Sequence, residues 1–317
     1  MRDELVIGTR GSELALWQAN FVKRALEAAP PGRRISIKTI STTGDIVMET
    51  ALSKIGDKGL FTRQIETELL NGEIDLAVHS LKDLQTEQPA GLIIGAVCPR
   101  GNPRDAFVSD RFENIDSLPQ GATVASGSLR RRSQLMAHRP DLNIVEIRGN
   151  VPTRLRKFDE SDVDAMILAC AGLERLGLDA RIRQMIPTEL MIPAVGQGTV
   201  AVEIRDGDTE AAELCRAIDD PATRVCVTAE RAFLRTLEGG CQVPIGGYAV
   251  LKGHDITLTG YVGSLDGAMH FRESHSGPGS DAEAIGLALA EKLIALGASD
   301  LLDEARGVSS SSQQEVL

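Results

Sequence analysis

The sequence predicts an α/β protein made of two strand–helix lobes followed by a smaller α+β part. Three observations carry that prediction. Short apolar runs rich in Val and Ile alternate with helical stretches from Leu5 to Ile204, the pattern of parallel-sheet units. Two Pro- and Gly-containing segments, 99–103 and 192–198, read as crossovers, so the middle lobe is inserted into the first. Past Asp206 the alternation gives way to two helices and three closely spaced strands.

Taken in order, Leu5-Val-Ile-Gly-Thr9 is a short buried strand. Arg10-Gly-Ser12 turns into a helix that Ser12 caps, with Leu16, Trp17, Ala19, Phe21 and Ala25 partly periodic. Residues 34–40 alternate as a strand, closed by Ser41-Thr-Thr-Gly-Asp45. Residues 46–59 have weak periodicity and read either as a mobile lid or as a plain loop. A helix over 61–70 stops at Asn71-Gly72, and strands follow at 75–80 and 92–97. The second series has strands at 105–109, 122–126, 143–147 and 164–169, with helices opening at Gly127 and Arg148. Cys170 reads as a packed core thiol, and 199–204 as a further strand. Helices at 208–218 and 221–237 precede a Gly-rich loop around Cys241. Strands at 248–251, 255–262 and 268–275 follow, then a helix at 281–296. The serine run from Ser309 reads as disordered.

Composition excludes several classes. The net charge is −11, which opposes generic nucleic-acid binding, and aromatics at 3% leave little for base stacking. No apolar run reaches the roughly 20 residues of a membrane helix. Five cysteines without CxxC spacing argue against a disulfide framework or a structural zinc site, and for a reducing compartment. The N-terminus carries no long apolar core, so no signal peptide is expected. Residues 127–157 hold eight Lys/Arg and two Asp/Glu, a local +6 that leaves −17 for the rest. A basic island in an acidic chain points to a small polyanion held in a cleft.

The polar groups that interrupt this pattern fall at strand ends, where open α/β sheets bind ligands. They are Arg10 and Ser12, residues 41–45, Lys82 and Asp83, Ser126 to Arg131, and Arg148. Arginines in the first turn of a helix oppose its dipole by roughly 0.3–1 kcal/mol each, and a bound anion offsets that repulsion. A solvated basic face is the plainer reading of the same residues. Lys82-Asp83 is either a surface ion pair or a carboxylate kept ionised among cations. His79, ending an apolar strand, reads as structural. Cys241, in Glu238-Gly-Gly-Cys-Gln-Val-Pro-Ile-Gly246, is a reachable loop thiol or a small buried one beside a turn.

Together these segments resemble the porphobilinogen deaminase (hydroxymethylbilane synthase) family over nearly the whole chain, to about Ala305. The matching stretches are Gly8-Thr-Arg-Gly-Ser12-Glu-Leu-Ala-Leu-Trp-Gln18, Gly59-Leu-Phe61, Ala77-Val-His-Ser-Leu-Lys-Asp83, Pro103-Arg-Asp-Ala106, Ser128-Leu-Arg-Arg-Arg-Ser-Gln134, Arg148-Gly-Asn-Val-Pro-Thr-Arg154, Leu168-Ala-Cys-Ala-Gly-Leu-Glu-Arg175, Pro193-Ala-Val-Gly-Gln-Gly198 and the Cys241 loop. Each is weak alone, and their order and spacing are specific.

The resemblance implies two lobes like type II periplasmic binding proteins and a third α+β domain with a three-stranded antiparallel sheet. The expected boundaries are 1–98 with 199–217, 99–198 and 218–306, with a disordered tail at 307–317. It implies a transferase that joins four porphobilinogen molecules head to tail with loss of ammonia, giving hydroxymethylbilane. It also implies one dipyrromethane cofactor per chain, held on Cys241 by a thioether, and no metal. Asp83 and Lys82 would act in catalysis and at the cofactor, with Arg10, Arg148 and Arg154 also catalytic. Ser128, Arg130, Arg131 and Gly172 would contact the cofactor. Arg10, Ser12, Arg148, Arg154, Arg175 and Gln197 would hold substrate, while Lys54, Lys58 and Phe61 lie in or beside the mobile loop. A cytoplasmic monomer is expected, with no nucleic-acid or membrane partner. The chain departs from the family at Gly127, where a Ser hydroxyl is usual, and at Gln85, where Pro is usual.

Two other classes share some of these features. A bilobed anion-binding protein would explain the basic island alone, but gives Cys241 no use. An ordinary thiol enzyme would need a base near Cys241, with His254 or His275 as candidates.

Overall fold

The computed structural model describes residues 4–29, 33–46, 59–237 and 243–314. Lys54, Lys58 and Cys241 lie outside the described residues. The chain packs as two compact units, one holding 59–101 and 198–224 with the N-terminal residues, the other 102–197 and 225–314.

In the first unit, strand β1 (Glu4–Thr9) leads to helix α1 (Glu13–Ala28) and strand β2 (Arg34–Thr39). Helix α2 (Arg63–Leu70), strand β3 (Leu76–Ser80) and strand β4 (Leu92–Val97) follow. The return strand β10 (Val200–Arg205) and helix α6 (Thr209–Arg216) complete it. The sheet order is β2-β1-β3-β10-β4, with β1 parallel to β2 and β3, and β10 antiparallel to β3 and β4. Alternation in β1 sends Leu5 and Ile7 to one face, where Ala19, Val22 and Leu26 of α1 cover them at helical spacing. Ile40, Ile65, Leu69, Ile74, Ala77 and Leu92 fill the other face. Each fully buried Ile or Leu contributes about 1.5–3 kcal/mol.

The second unit repeats this plan. Its strands are β5 (Asp105–Val108), β6 (Thr123–Ala125), β7 (Asn143–Val145), β8 (Ala165–Ala169) and β9 (Gln184–Met185). They run in the order β7-β6-β8-β5-β9, and β5 alone runs against the other four, as β10 does in the first sheet. Helices α3 (Leu129–His138), α4 (Val151–Asp159) and α5 (Cys170–Arg175) follow β6, β7 and β8. The same unit contains helix α7 (Pro221–Thr236) from Val225 onward and an antiparallel sheet of β11 (Ile245–Lys252), β12 (Asp255–Gly263) and β13 (His270–Pro278). Helices α8 (Ala282–Ala295) and α9 (Ala298–Gln314) complete it. Phe233, Ile256, Leu258, Leu289 and Leu293 are fully buried in the core between these helices and the sheet.

Four expectations need correction. The expected disordered tail from 307 is helical through Gln314, because Ala298, Leu301, Leu302 and Ala305 anchor α9 in the core and propagation adds one hydrogen bond per residue. The helix expected from Phe61 starts at Arg63, after a turn at Gly59, whose φ is +86°. Strand β13 is shifted two to three residues beyond the expected 268–275, because the Asp266-Gly267 turn is wider than a two-residue hairpin. There Ser264 N–H donates to Met269 O at 2.8 Å. Gly267, at φ +72°, lies so close to the α3 backbone that a Cβ would sit 2.2 Å from Ala137 N. Strand β11 begins at Ile245 rather than Tyr248, since Gly246 and Gly247 lie flat against Ile192 and Phe233.

Candidate active site

Parallel pairing fixes where the polar groups emerge. Strands β1, β2 and β3 run the same way, so Arg10, the turn to Asp45 and the turn at Lys82-Asp83 leave one edge of the first sheet. Strands β6, β7 and β8 do the same for Ser126–Ser128, Arg148 and α5 with Arg175.

In the first unit, Ser12 caps α1, its hydroxyl accepting from Ala15 N at 3.3 Å. Arg10 is half-buried. Its Nε donates to both Asp45 oxygens, at 3.1 and 3.3 Å, and its Nη2 pairs with Oδ1. The Arg10 guanidinium carbon lies 4.2 Å from the centre of the Phe61 ring. Burial alone would raise the Asp45 carboxyl, but hydrogen bonds from Arg10 and Thr42 outweigh it and hold it below its ordinary range. Leu81 is buried and its N–H donates to Thr199 O at 3.0 Å, which anchors the turn that leaves Lys82 half-buried and Asp83 exposed. Beneath that turn, buried His79 Nε2 lies 3.2 Å from Glu203 Oε2, off the axis of a hydrogen bond, which agrees with a structural histidine.

In the second unit, the Ser128 hydroxyl caps α3, accepting from Arg131 N at 3.4 Å. Its own N–H reaches Ser126 Oγ at 3.3 Å. Gly127 is exposed, and a Cβ there would stand 3.0 Å from Ile147 O, so the turn is shaped for glycine. Arg130 and Arg131 point inward, each 5% exposed, onto Asp105, which is 0% exposed. Arg130 Nη1 donates to Asp105 Oδ2 at 2.8 Å and to Ile192 O at 2.7 Å, and its Nη2 to Oδ1 at 3.2 Å. Arg131 Nε donates to Oδ1 at 2.9 Å and its Nη1 to Ile167 O at 3.0 Å.

Two guanidiniums therefore share one carboxylate. Burial pushes the Asp105 carboxyl up, and the two guanidiniums more than reverse that, holding it far below the carboxylate range. For Arg131 the same burial, with Arg130 beside it, outweighs Asp105 and presses its pKa down. Arg130 Nε is buried with no hydrogen-bond partner. The cluster keeps one positive charge in excess, a costly state unless a further anion completes it.

Gln197, expected to face substrate, is 1% exposed and donates to Pro103 O at 2.7 Å and Asp105 Oδ1 at 3.1 Å. The chain's turn inward at the crossover explains this, since Gln197 N–H bonds Ala194 O at 2.9 Å. Gly172 is buried within α5. Arg148, Arg154 and Arg175 are half-buried, and Arg148 pairs with Glu146. The sequence reading missed Asp105 and Asp45 as partners of these arginines. An acid opening the apolar strand Asp105-Ala-Phe-Val was the available signal, because a buried carboxylate needs cations.

The family model "Porphobilinogen deaminase, dipyromethane cofactor binding domain" matches residues 5–213, and "Porphobilinogen deaminase, C-terminal domain" matches 224–295. The porphobilinogen deaminase of Pelotomaculum thermopropionicum is 51% identical over 306 residues, covering 96% of this chain and 98% of that protein. The one from Desulforudis audaxviator is also 51% identical, covering 96% and 99%. Among solved structures, a YaeC-family lipoprotein from Enterococcus faecalis has a TM-score of 0.43 at 18% identity, covering 71% of this chain and 95% of its own. A methionine-binding protein has 0.44 at 14%, covering 69% and 91%.

Proposed function

The chain belongs to the porphobilinogen deaminase family, and on that premise we propose how its own residues divide the work of that family's reaction. The reaction joins four porphobilinogen molecules head to tail, releases ammonia and yields hydroxymethylbilane on a covalently bound dipyrromethane. When bound, that dipyrromethane supplies the pyrrole carbon from which the chain is extended.

Each pyrrole ring of substrate and cofactor carries an acetate and a propionate, so the residues must neutralise many carboxylates. Arg130 and Arg131 hold a carboxylate of the cofactor. The observation that carries this is their excess positive charge over Asp105, with a buried Nε donor left over on Arg130. Ser128 and the first-turn N–H groups of α3 add donors beside them. Gly172 lets the α5 backbone come close. Arg10, already placed by Asp45 and Phe61, takes a substrate carboxylate bidentately, and Arg148, Arg154 and Arg175 take the others. Ser12 orients the turn that carries Arg10.

Asp83 is the catalytic carboxylate. It is exposed on a turn fixed by Leu81, so it can face pyrrole N–H groups and stabilise the positive charge that forms as ammonia leaves. Lys82 lies beside it on the same turn. Cys241 carries the cofactor by a thioether, and Lys54 and Lys58 act from the stretch of sequence before Phe61. Gln197 acts on Asp105 rather than on substrate.

We also read the second unit as two working domains, 99–198 and 218–306, each with its own sheet and core. The rest of the first unit, 1–98 with 199–217, carries Asp83. A monomer acting in the cytoplasm on a small soluble substrate fits this chemistry. No helix among the described residues is long and apolar enough to cross a membrane.

The test is an intact mass of the purified protein beside Cys241→Ser. An excess equal to two deaminated porphobilinogen units, absent in the variant, is expected. A bare polypeptide mass that stays bare after incubation with porphobilinogen would overturn the attachment.

A further inference from the structure

We propose that Asp105 is a positioning residue that presets Arg130 and Arg131 to accept one further carboxylate, and only one. This rests on the reading of the two arginines as the place where the cofactor is held.

Asp105 opens β5 and is fully buried, so its carboxylate has no water to satisfy it. Oδ1 accepts from Arg130 Nη2, Arg131 Nε and Gln197 Nε2 at 3.2, 2.9 and 3.1 Å, and Oδ2 accepts from Arg130 Nη1 at 2.8 Å. The Ile192 and Ile167 carbonyls take the Nη1 groups of Arg130 and Arg131. Gln197 is held in turn by Pro103 O. The bonds to Asp105, Ile192 O and Ile167 O fix both guanidinium planes, so neither arginine has to be ordered when an anion arrives.

Charge sets the capacity. Asp105 cancels one of the two positive charges, and one more carboxylate brings the cluster to neutrality. Two would leave it negative in a buried place. Without Asp105 the pair would carry two charges in excess and would take up any small anion that fits. Gln197 contributes geometry without charge, because its amide is neutral.

The experiment uses the purified protein, Asp105→Asn and Gln197→Leu. Cofactor loading is read from intact mass, and the melting temperature is read with and without sodium sulfate, each at matched ionic strength. Wild type is expected to carry the two-unit mass excess and to respond little to sulfate. Asp105→Asn keeps the shape and loses the charge. It is expected to load at least tenfold less and to gain several degrees more from sulfate than wild type does. Gln197→Leu is expected to load a few-fold less and to keep the wild-type sulfate response. Full loading of Asp105→Asn overturns the proposal. So does poor loading with a wild-type sulfate response, which would make Asp105 merely structural. If Asp105→Asn does not fold, Gln197→Leu decides, and unchanged loading of that variant sinks the idea. If wild type itself carries no mass excess, the attachment reading has failed, while the sulfate comparison still judges the charge account.

Discussion

Arg10 rests on Phe61, its guanidinium carbon 4.2 Å from the ring centre, while Asp45 takes its Nε and Nη2. The two residues are fifty-one positions apart, and each was marked separately in the sequence for a different reason. The ring face and the carboxylate together hold one guanidinium in one place before substrate arrives. Replacing Phe61 by Leu keeps an apolar neighbour and removes the π face. Such a contact contributes about 0.5–1 kcal/mol at a partly exposed site, which corresponds to a two- to fivefold rise in KM for porphobilinogen. Steady-state kinetics would check this, and an unchanged KM would mean the stacking does not position Arg10.

Gly44 lies against the same ring. A Cβ there would come within 2.2 Å of Phe61 Cε1, so Gly44→Ala must displace the ring. The expected result is a severalfold higher KM with kcat changed less, plus a lower melting temperature. Initial rates over a range of porphobilinogen concentrations, with a thermal melt alongside, separate the two effects.

Asp83→Asn is the sharpest test of the catalytic assignment. The variant keeps its shape on an exposed turn and should fold and carry its cofactor. Loss of one charge that stabilises a forming cation costs on the order of 10²–10³ in kcat. Near-normal turnover with a normal intact mass would remove Asp83 from that role.

The buried face beneath Lys82-Asp83 gives a pH prediction. Glu66 is 5% exposed, and burial, with Glu203 nearby, raises its carboxyl above 4.5 despite the Thr62 hydroxyl and the charges of His79 and Arg63. The folded state thus favours protonated Glu66, a contribution present below the unfolded value and lost as pH rises through the folded one. Above that point an ionised Glu66 destabilises the fold. Glu66→Gln should raise the melting temperature at pH 7–8 by roughly 2–4 °C, the shift about 1 kcal/mol produces in domains of this size. The gain should vanish near pH 4. A gain that grew with acidity would reverse the sign of this argument.

The described thiols should be silent. Burial pushes both Cys170 and Cys215 up to about 12, and Cys98 and Cys226 are buried as well. Iodoacetamide at pH 8 should therefore leave all four unmodified in the native protein and alkylate them in urea. Peptide mass mapping reads this directly. Fast labelling of any of the four without denaturant would contradict their burial.

The strand–helix alternation was legible because the apolar period is a local property. Leu5 and Ile7, or Val124 and the helix after Ser128, follow from side-chain direction alone. The insertion was legible too, since the segments 99–103 and 192–198 break both patterns, and β10 does return to the first sheet. The C-terminal helix was not. Its serines carry no apolar signal past Ala305, and it forms because the preceding turns are anchored. Strand β9, two residues long, has no period to detect.

The sequence by itself determined the family, the two-lobed α/β plan and the list of cationic residues. Those depend on motif order, spacing and periodicity, which are written along one dimension. Only the tertiary structure decided which charges meet. It turned Arg130, Arg131 and Gln197 inward onto Asp105 and set Arg10 against both Asp45 and Phe61. Such pairings come from the register of neighbouring strands and the direction of each side chain off its sheet. Positions far apart in the chain come into direct contact there, and burial then makes each unbalanced charge matter.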